Sequence, residues 1–417
     1  MTDSRKTKQS RVRRAFARHQ SLKPQSRAKA LTGLAFKFLA LVLSSAIVVT
    51  GVSAWQIADE IQSNGIQLLD ENGKAVAISA EDIKGPINIL LVGSDTRKGQ
   101  GGGFGSGITS NLADVIILLH VSQDRKNAVA LSFPRDLMVP WPACPSTSGG
   151  PGYLPQSLGQ INATIANGGP GCTLKTVESI TGLKIPFLAM INFKGVIEMS
   201  NAIGGVEVCL TKPIEDTYTH TSLPAGLQVL QGRAALQFLR TRHGVGDGSD
   251  LSRISNQQVF MSSLVRKIKS QGVLSNPVYL YTLATAAGRN MTLSSTMSDP
   301  NTLIALASSL KDVSLDKMVF MQLPSVSGLP APNQGRVKPN DELAALIYDK
   351  LQNDKPIVLG KANGGQGAVV QPTATPTPGA STTPTPQPTG SAKPTPSANA
   401  LPDSVIGSTA GDKTCSN

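Results

Sequence analysis

The sequence predicts an α/β domain in which helices cover a β-sheet. Three runs carry that expectation: Ile87–Val92, Asp114–Val121 and Ala128–Phe133. Each is continuously rich in Val, Ile, Leu or Ala instead of alternating, as strands covered on both faces are. Downstream, stretches with apolar residues at helical spacing follow short β-type runs, and glycines sit between them.

Taken in order, the chain divides into five parts. Residues 1–37 hold eleven Lys or Arg and one acid, Asp3, a local charge of +10 out of +12 for the 417 residues. Phe38–Trp55 is uncharged over 18 residues, long enough to cross a bilayer, so a transmembrane helix is expected at 38–55. The positive-inside rule then puts residues 1–37 in the cytoplasm and everything after Trp55 outside. Val52-Ser53-Ala54 offers the alternative of a cleaved signal peptide, but the basic segment before the apolar run is long for one. The basic residues suit anionic lipid; no nucleic-acid partner is expected. Residues 56–86 read as a stalk, 87–358 as the compact unit, and 359–417 as a tail. Within that tail, Gln371–Pro402 repeats Thr-Pro with a single charge, Lys393, the composition of an extended disordered spacer.

In the compact unit, Lys126-Asn127 supplies a turn between the second and third strands. Leu174–Thr181, Phe193–Ile203 and Leu251–Ser270 read as helices, the last with Phe260, Leu264 and Ile268 at i, i+4, i+8. Ala202-Ile-Gly-Gly-Val206 ends one helix and opens the strand Val206–Leu210. Helical spacing resumes after Gly232. Cys144 and Cys172 flank a Gly/Pro/Ser-rich excursion, and a disulfide pinning it is expected. Cys209 reads as a buried free thiol and Cys415 as part of the flexible tail. No CxxC pair is present and the chain has four His, so zinc is not expected.

Three chemistries are missing from the motifs: there is no G-x-S-x-G, no HExxH, and the run Gly99–Gly107 lacks the Lys-Ser/Thr of a phosphate-binding P-loop. What remains is a set of acids and arginines at strand and helix ends. Asp95 and Arg97 follow the first strand, Asp114 opens the second, and Arg135 and Asp136 end the third. If the first two strands are neighbours, Asp95 and Asp114 could share one Mg²⁺. Arg240 and Arg242, at i, i+2, suit a helix end or loop. Arg253 and Gln257, at i, i+4, share one helical face. Guanidinium forks bind phosphate oxygens bidentately, so four arginines at element ends suggest a pyrophosphate clamp.

These pieces in this order resemble the LytR–CpsA–Psr family of wall-polymer ligases over residues 85–355. The pieces are Gly93-Ser-Asp-Thr-Arg97, Asp114, Ser132-Phe-Pro-Arg-Asp136, Asn192-Phe-Lys-Gly195, Gly204-Gly-Val-Glu-Val208, Leu230-Gln-Gly-Arg-Ala-Ala-Leu236, Arg240-Thr-Arg242, Arg253 and Gln257-Gln258. The resemblance implies a mixed central sheet flanked by helices, with a hydrophobic groove for a polyprenyl chain. It implies transfer of a glycopolymer from a polyprenyl-pyrophosphate-linked glycan to a peptidoglycan acceptor, releasing undecaprenyl phosphate. By position, Asp95 and Asp114 match the family's Mg²⁺ carboxylates. Arg97, Arg135, Arg240, Arg242, Arg253 and Gln257 match its catalytic and substrate-binding groups, Asp95 being counted with them. Leu112 and Asn256 stand where the family usually has arginine. A polyprenyl-pyrophosphate hydrolase and a non-catalytic envelope adaptor are the alternative functions.

Overall fold

The computed structural model describes residues 65–371 and 400–417, with breaks that include 69–73, 101–110, 146–151 and 273–275, and a few positions between 36 and 44. Most of the span expected at 38–55, the Gly-rich run at 99–107 apart from Gln100, and the spacer at 372–399 therefore lie outside the described residues. Among the described residues, no helix is long and apolar enough to cross a membrane. The chain separates into two units, 1–54 and 55–417, and the second contains the two larger sheets and the site.

The centre of that second unit is a seven-stranded sheet. The strands are β1 (Ile87–Ser94), β2 (Ala113–Val121), β3 (Ala128–Phe133), β4 (Phe187–Ile191), β7 (Met291–Leu293), β8 (Met318–Gln322) and β10 (Gly407–Thr409), in the order β7-β4-β1-β2-β3-β8-β10. The sheet is mixed: β1–β4 and β3–β8 are parallel, and the other four pairs antiparallel. A smaller sheet joins β5 (Val206–Leu210), β6 (Gly226–Leu230), β9 (Ala368–Val370) and β11 (Thr414–Ser416) in the order β6-β5-β11-β9.

Helices cover both faces, which is why β3 is buried at all six positions and cannot alternate. One face packs Leu90, Val92, Leu118 and Leu131 against α1 (Thr164–Thr181) and α7 (Asp341–Gln352). The other packs Ile89, Ile117, Phe187 and Phe320 against side chains that include α6 (Pro300–Ser308) residues Leu303 and Leu306. The smaller sheet shares Val208, Phe238 and Phe260 with α3 (Arg233–Arg240) and α4 (Asp250–Ser270). Between these lie α2 (Phe193–Ala202) and α5 (Pro277–Asn290), each started by an asparagine whose side chain accepts backbone N–H bonds, Asn192 and Asn276.

Several expectations change here. The turn between β2 and β3 runs from Ser122 to Asn127, closed by Ser122 N–H to Asn127 O at 3.0 Å, with Arg125 at φ 58°. Residues 400–417 pair with both sheets, so this part of the expected tail is folded. Cys209 is not a free thiol: it is bonded to Cys415 across β5 and β11, whose strand pairing brings the two Cα atoms to 4.5 Å. Cys144 and Cys172 are also bonded, with Cα atoms 5.3 Å apart.

Leu118 has no exposed surface at the centre of the sheet. Leu118→Ala is expected to cost roughly 2–5 kcal/mol of unfolding free energy, read by urea denaturation of wild type and variant side by side.

Candidate functional site

The acids and arginines singled out in the sequence converge because β1 and β2 pair. Register Ser94↔Ala113, after an irregularity at Gly93, places Asp95 and Asp114 at the same edge of the sheet. Asp95 is fixed to Leu112 in both directions: its Oδ1 accepts Leu112 N–H at 2.7 Å, and its own N–H donates to Leu112 O at 3.1 Å. Leu112 thus contributes its backbone to the site.

Asp114 is gripped from two elements. Arg135, following β3, donates from Nη1 at 2.6 Å, and Arg253 of α4 stands 3.9 Å away while donating from Nη2 to the Asp114 carbonyl at 2.9 Å. Asp250, which the sequence reading did not assign to the site, completes the group. It opens α4, and its Oδ1 lies 2.5 Å from Arg253 Nη2 and 3.5 Å from Arg135 Nε. Its other oxygen accepts Arg135 N–H at 3.3 Å. Burial favours the neutral form of Arg135, but Asp114, Asp250 and Asp136 outweigh it and raise its pKa. Arg253, 4% exposed, goes the other way: burial holds it below the usual arginine range against the pull of Asp250 and Asp114. Both stay charged at neutral pH.

Arg240 is the last residue of α3, and Arg242 follows the cap residue Thr241, which is why their i, i+2 spacing suits a helix end. The Arg240 guanidinium lies 4.3 Å over the Phe193 ring. Its pKa is lowered first by burial and then by the like charges of Arg97 and Arg253, with Asp114 and Asp95 opposing. The like charge of Arg242 lowers the pKa of Arg253 as well. Arg97, Arg135, Arg242 and Arg253 each keep a buried Nε without a hydrogen-bond partner. Gln257 donates from Nε2 to Leu239 O at 3.0 Å, so one of its two amide hydrogens supports the end of α3.

This charged edge opens into a cavity of about 280 Å³ between the sheet and α2, α3 and α4. Asp114, Arg240, Arg253 and Gln257 line its polar end; apart from Ser94, Asn192 and Ser200 the rest of the lining is apolar, with Leu91, Ile117, Val196, Ile203, Phe260 and Leu264 among its walls. Asp136 is divided: one carboxylate oxygen lies 3.5 Å from Arg135 Nε, and the other takes the Gln160 amide at 2.5 Å, Gln160 in turn meeting Arg336.

Sequence reasoning missed Asp216. It is 2% exposed and collects five bonds: Thr241 Oγ1 at 2.7 Å, the N–H groups of Arg242 and His243 at 3.1 and 3.2 Å, and those of Tyr218 and Thr219 at 2.9 and 3.3 Å. The segment leaving α3 is therefore folded around one carboxylate. Only the acidic residue in Ile214–Asp216 hinted at it, and that run carries no distinctive spacing. Among the described residues no group of three or more His, Cys, Asp or Glu could hold a metal. Asp95 and Asp114 still suit a hard cation that takes two carboxylates and completes its shell with substrate oxygens. Within the described residues, hydrogen bonds and ion pairs reach only one oxygen of each carboxylate.

The sequence profile of the LytR_cpsA_psr family matches residues 53–353. The chain belongs to this family. Among its relatives, the probable cell wall biosynthesis protein LcpB of Corynebacterium glutamicum is 36% identical over 197 residues, 46% of this chain and 44% of that protein. The polyisoprenyl-teichoic acid–peptidoglycan teichoic acid transferase TagT of Bacillus subtilis is 29% identical over 277 residues, 65% of this chain and 77% of TagT. Against the two corynebacterial relatives, LcpB and LcpA, the matched stretch spans about half of each, 44% and 51%. The crystal structure of protein gbs0355 from Streptococcus agalactiae shares the fold, with a TM-score of 0.53 at 21% identity over 67% of this chain and 91% of that one.

Asp216 has a pKa of about 2: burial alone would raise it, but the Thr241 hydroxyl and the backbone N–H groups together pull it below 3.8. Its stabilisation is therefore complete above pH 4 and lost as the pH falls toward 2, on the order of 2 kcal/mol. Denaturation of wild type and Asp216→Asn from pH 2 to 6 should give a difference in stability that is largest above pH 4 and shrinks below it.

Proposed function

We propose that the protein is a phosphotransferase that moves a glycopolymer from a polyprenyl pyrophosphate carrier onto peptidoglycan. The observation that carries this reading is a cluster of guanidiniums beside an apolar cavity: Arg240 and the buried Arg253 line it, and the half-buried Arg97 and Arg242 stand near them with Nε atoms that make no hydrogen bond. Cations so placed call for a strong anion, and the cavity beyond them calls for a hydrocarbon. A diphosphate esterified to a long isoprenoid has both, in that order. Family membership and the transferase named for TagT support the same class of reaction.

In this reading the isoprenoid lies along Leu91, Ile117, Val196 and Phe260, which exclude water from the site. Arg240 and Arg253, at the cavity's polar end, hold the phosphate that leaves with the lipid; Arg97, Arg135 and Arg242 neutralise the glycan-side phosphate. The acceptor hydroxyl attacks the glycan-side phosphorus, the bond from that phosphorus to the bridging oxygen breaks, and polyprenyl phosphate departs. The hydroxyl proton passes to a carboxylate at these strand ends, Asp136 or Asp95. Asp95 and Asp114 would hold Mg²⁺, which supplies charge neutralisation to the pyrophosphate oxygens. An anchor at 38–55 with an extracytoplasmic catalytic unit accords with carrier and acceptor both lying outside the membrane.

The reading is tested by supplying the protein with a synthetic polyprenyl-pyrophosphate glycan, muropeptide oligomers and Mg²⁺, and searching for the joined product by mass spectrometry. Joined product and polyprenyl phosphate in equal amounts are expected. Free glycan phosphate formed equally well without muropeptides would instead make the protein a hydrolase. Arg240→Ala and Arg253→Ala should each slow transfer by about 10²-fold or more. Chelation with EDTA should abolish transfer, and added Mg²⁺ should restore it. A chelated wild type that stays active would remove the metal from the reading.

A further inference from the structure

Asn256, on the inner side of α4, is held at both ends of its amide. It is buried, with no exposed surface. Its Nδ2 donates to Phe238 O at 2.8 Å and its Oδ1 accepts from Ser416 Oγ at 2.5 Å. Phe238 lies in the last turn of α3, two residues before Arg240. A helix leaves its final carbonyls unpaired. Here the carbonyls of Gln237, Phe238 and Leu239 are taken in turn by Thr241 N–H, Asn256 and Gln257.

Ser416 is itself held. It belongs to β11, which pairs in parallel with β5 and is bonded to it through Cys209–Cys415. Thr211 donates to Ser416 O from both N–H and Oγ1, at 2.9 and 3.0 Å. The next residue, Asn417, accepts Gly246 N–H at 2.9 Å, gripping the loop between α3 and α4 on the far side of Arg242. Gly246 has φ 51°, and a Cβ there would lie 2.5 Å from both Gln366 O and Ser252 Oγ, so no other residue fits. The segment that carries Arg240 and Arg242 is thus tied to β11 before and after the arginine pair.

We propose that Asn256 and Ser416 are positioning residues for Arg240 and Arg242. The link runs from the disulfide-held strand β11 through the Ser416 hydroxyl and the Asn256 amide to the last turn of α3. An amide suits this place because it donates to a carbonyl and accepts from a hydroxyl at once; a guanidinium has no acceptor. The position therefore uses its polarity to orient the neighbouring arginines instead of adding a charge. The consequence for transfer rests on the phosphotransferase reading, whereas the mechanical link stands apart from it.

The test uses the full chain as wild type, Asn256→Ala, Ser416→Ala, the double variant and Ser416→Thr, which keeps the hydroxyl. Two quantities are read: hydrogen exchange of peptides spanning 236–246, and kcat and KM for the lipid-linked glycan. Exchange in 236–246 should quicken in both alanine variants while peptides from β1–β3 stay as in wild type. In Asn256→Ala kcat should fall about 10-fold, because small displacements of clamping groups are costly, with KM within about 3-fold because the apolar cavity is intact. Ser416→Ala should lose less, Ser416→Thr should recover, and the double variant should match Asn256→Ala, as two groups on one path do.

Unchanged exchange in folded Asn256→Ala, or additive losses in the double variant, overturns the proposal. Should Asn256→Ala fail to fold, Ser416→Ala against Ser416→Thr decides the matter by the same readouts. Quickened exchange in the variants of a protein whose wild type transfers nothing leaves the link standing and sinks the phosphotransferase reading. Normal transfer with no effect of either substitution does the opposite.

Discussion

A guanidinium at 4% exposure is costly to place, and Arg253 sits at that depth, at the point where the central sheet meets α4. Much of the site follows from compensating it. Asp250 meets it 2.5 Å away from the same helix, and Asp114 meets it from β2, taking Arg135 into the same group. Compensation stops short of neutrality. Asp114 and Asp250 are shared between Arg135 and Arg253, while Arg97, Arg240 and Arg242 add further positive charge around them. A protein that only needed stability would do better with apolar residues here. The remaining excess of cations beside an apolar cavity is the feature on which the proposed lipid-diphosphate substrate rests.

The rest of the molecule keeps those cations in place. β1–β3 deliver Asp95, Asp114 and Arg135 to one edge because they are adjacent and antiparallel. The arginines at the end of α3 have no strand to hold them, so other groups do: Asp216 collects the backbone after Arg240, and Asn256 and Gln257 take the carbonyls before it. Phe193 supports the Arg240 guanidinium from α2.

The small sheet gives this arrangement a second foundation. β11 lies between β5 and β9 and is joined to β5 by a disulfide. A strand far along the chain is thereby made a neighbour of the helix that carries Arg253, through Ser416 and Asn256.

The residues themselves were enough to indicate the α/β class, the three central strands, the long helix after Leu251 and the acids and arginines at element ends. Those signals are local: continuous apolar runs, helical periodicity, and charges just past them. The i, i+2 spacing of Arg240 and Arg242 even indicated that a helix ends between them. Tertiary structure alone decided that Asp250 belongs with Arg135, that Asp216 organises the loop after α3, and that Cys209 pairs with Cys415. It also brought in Phe187–Ile191 and Met318–Gln322, which are too short to stand out until they find parallel partners in β1 and β3. Each of these depends on residues distant in sequence meeting across a sheet or a helix end. No window of neighbouring residues carries that information, since the partner's position is set only when the whole core has packed.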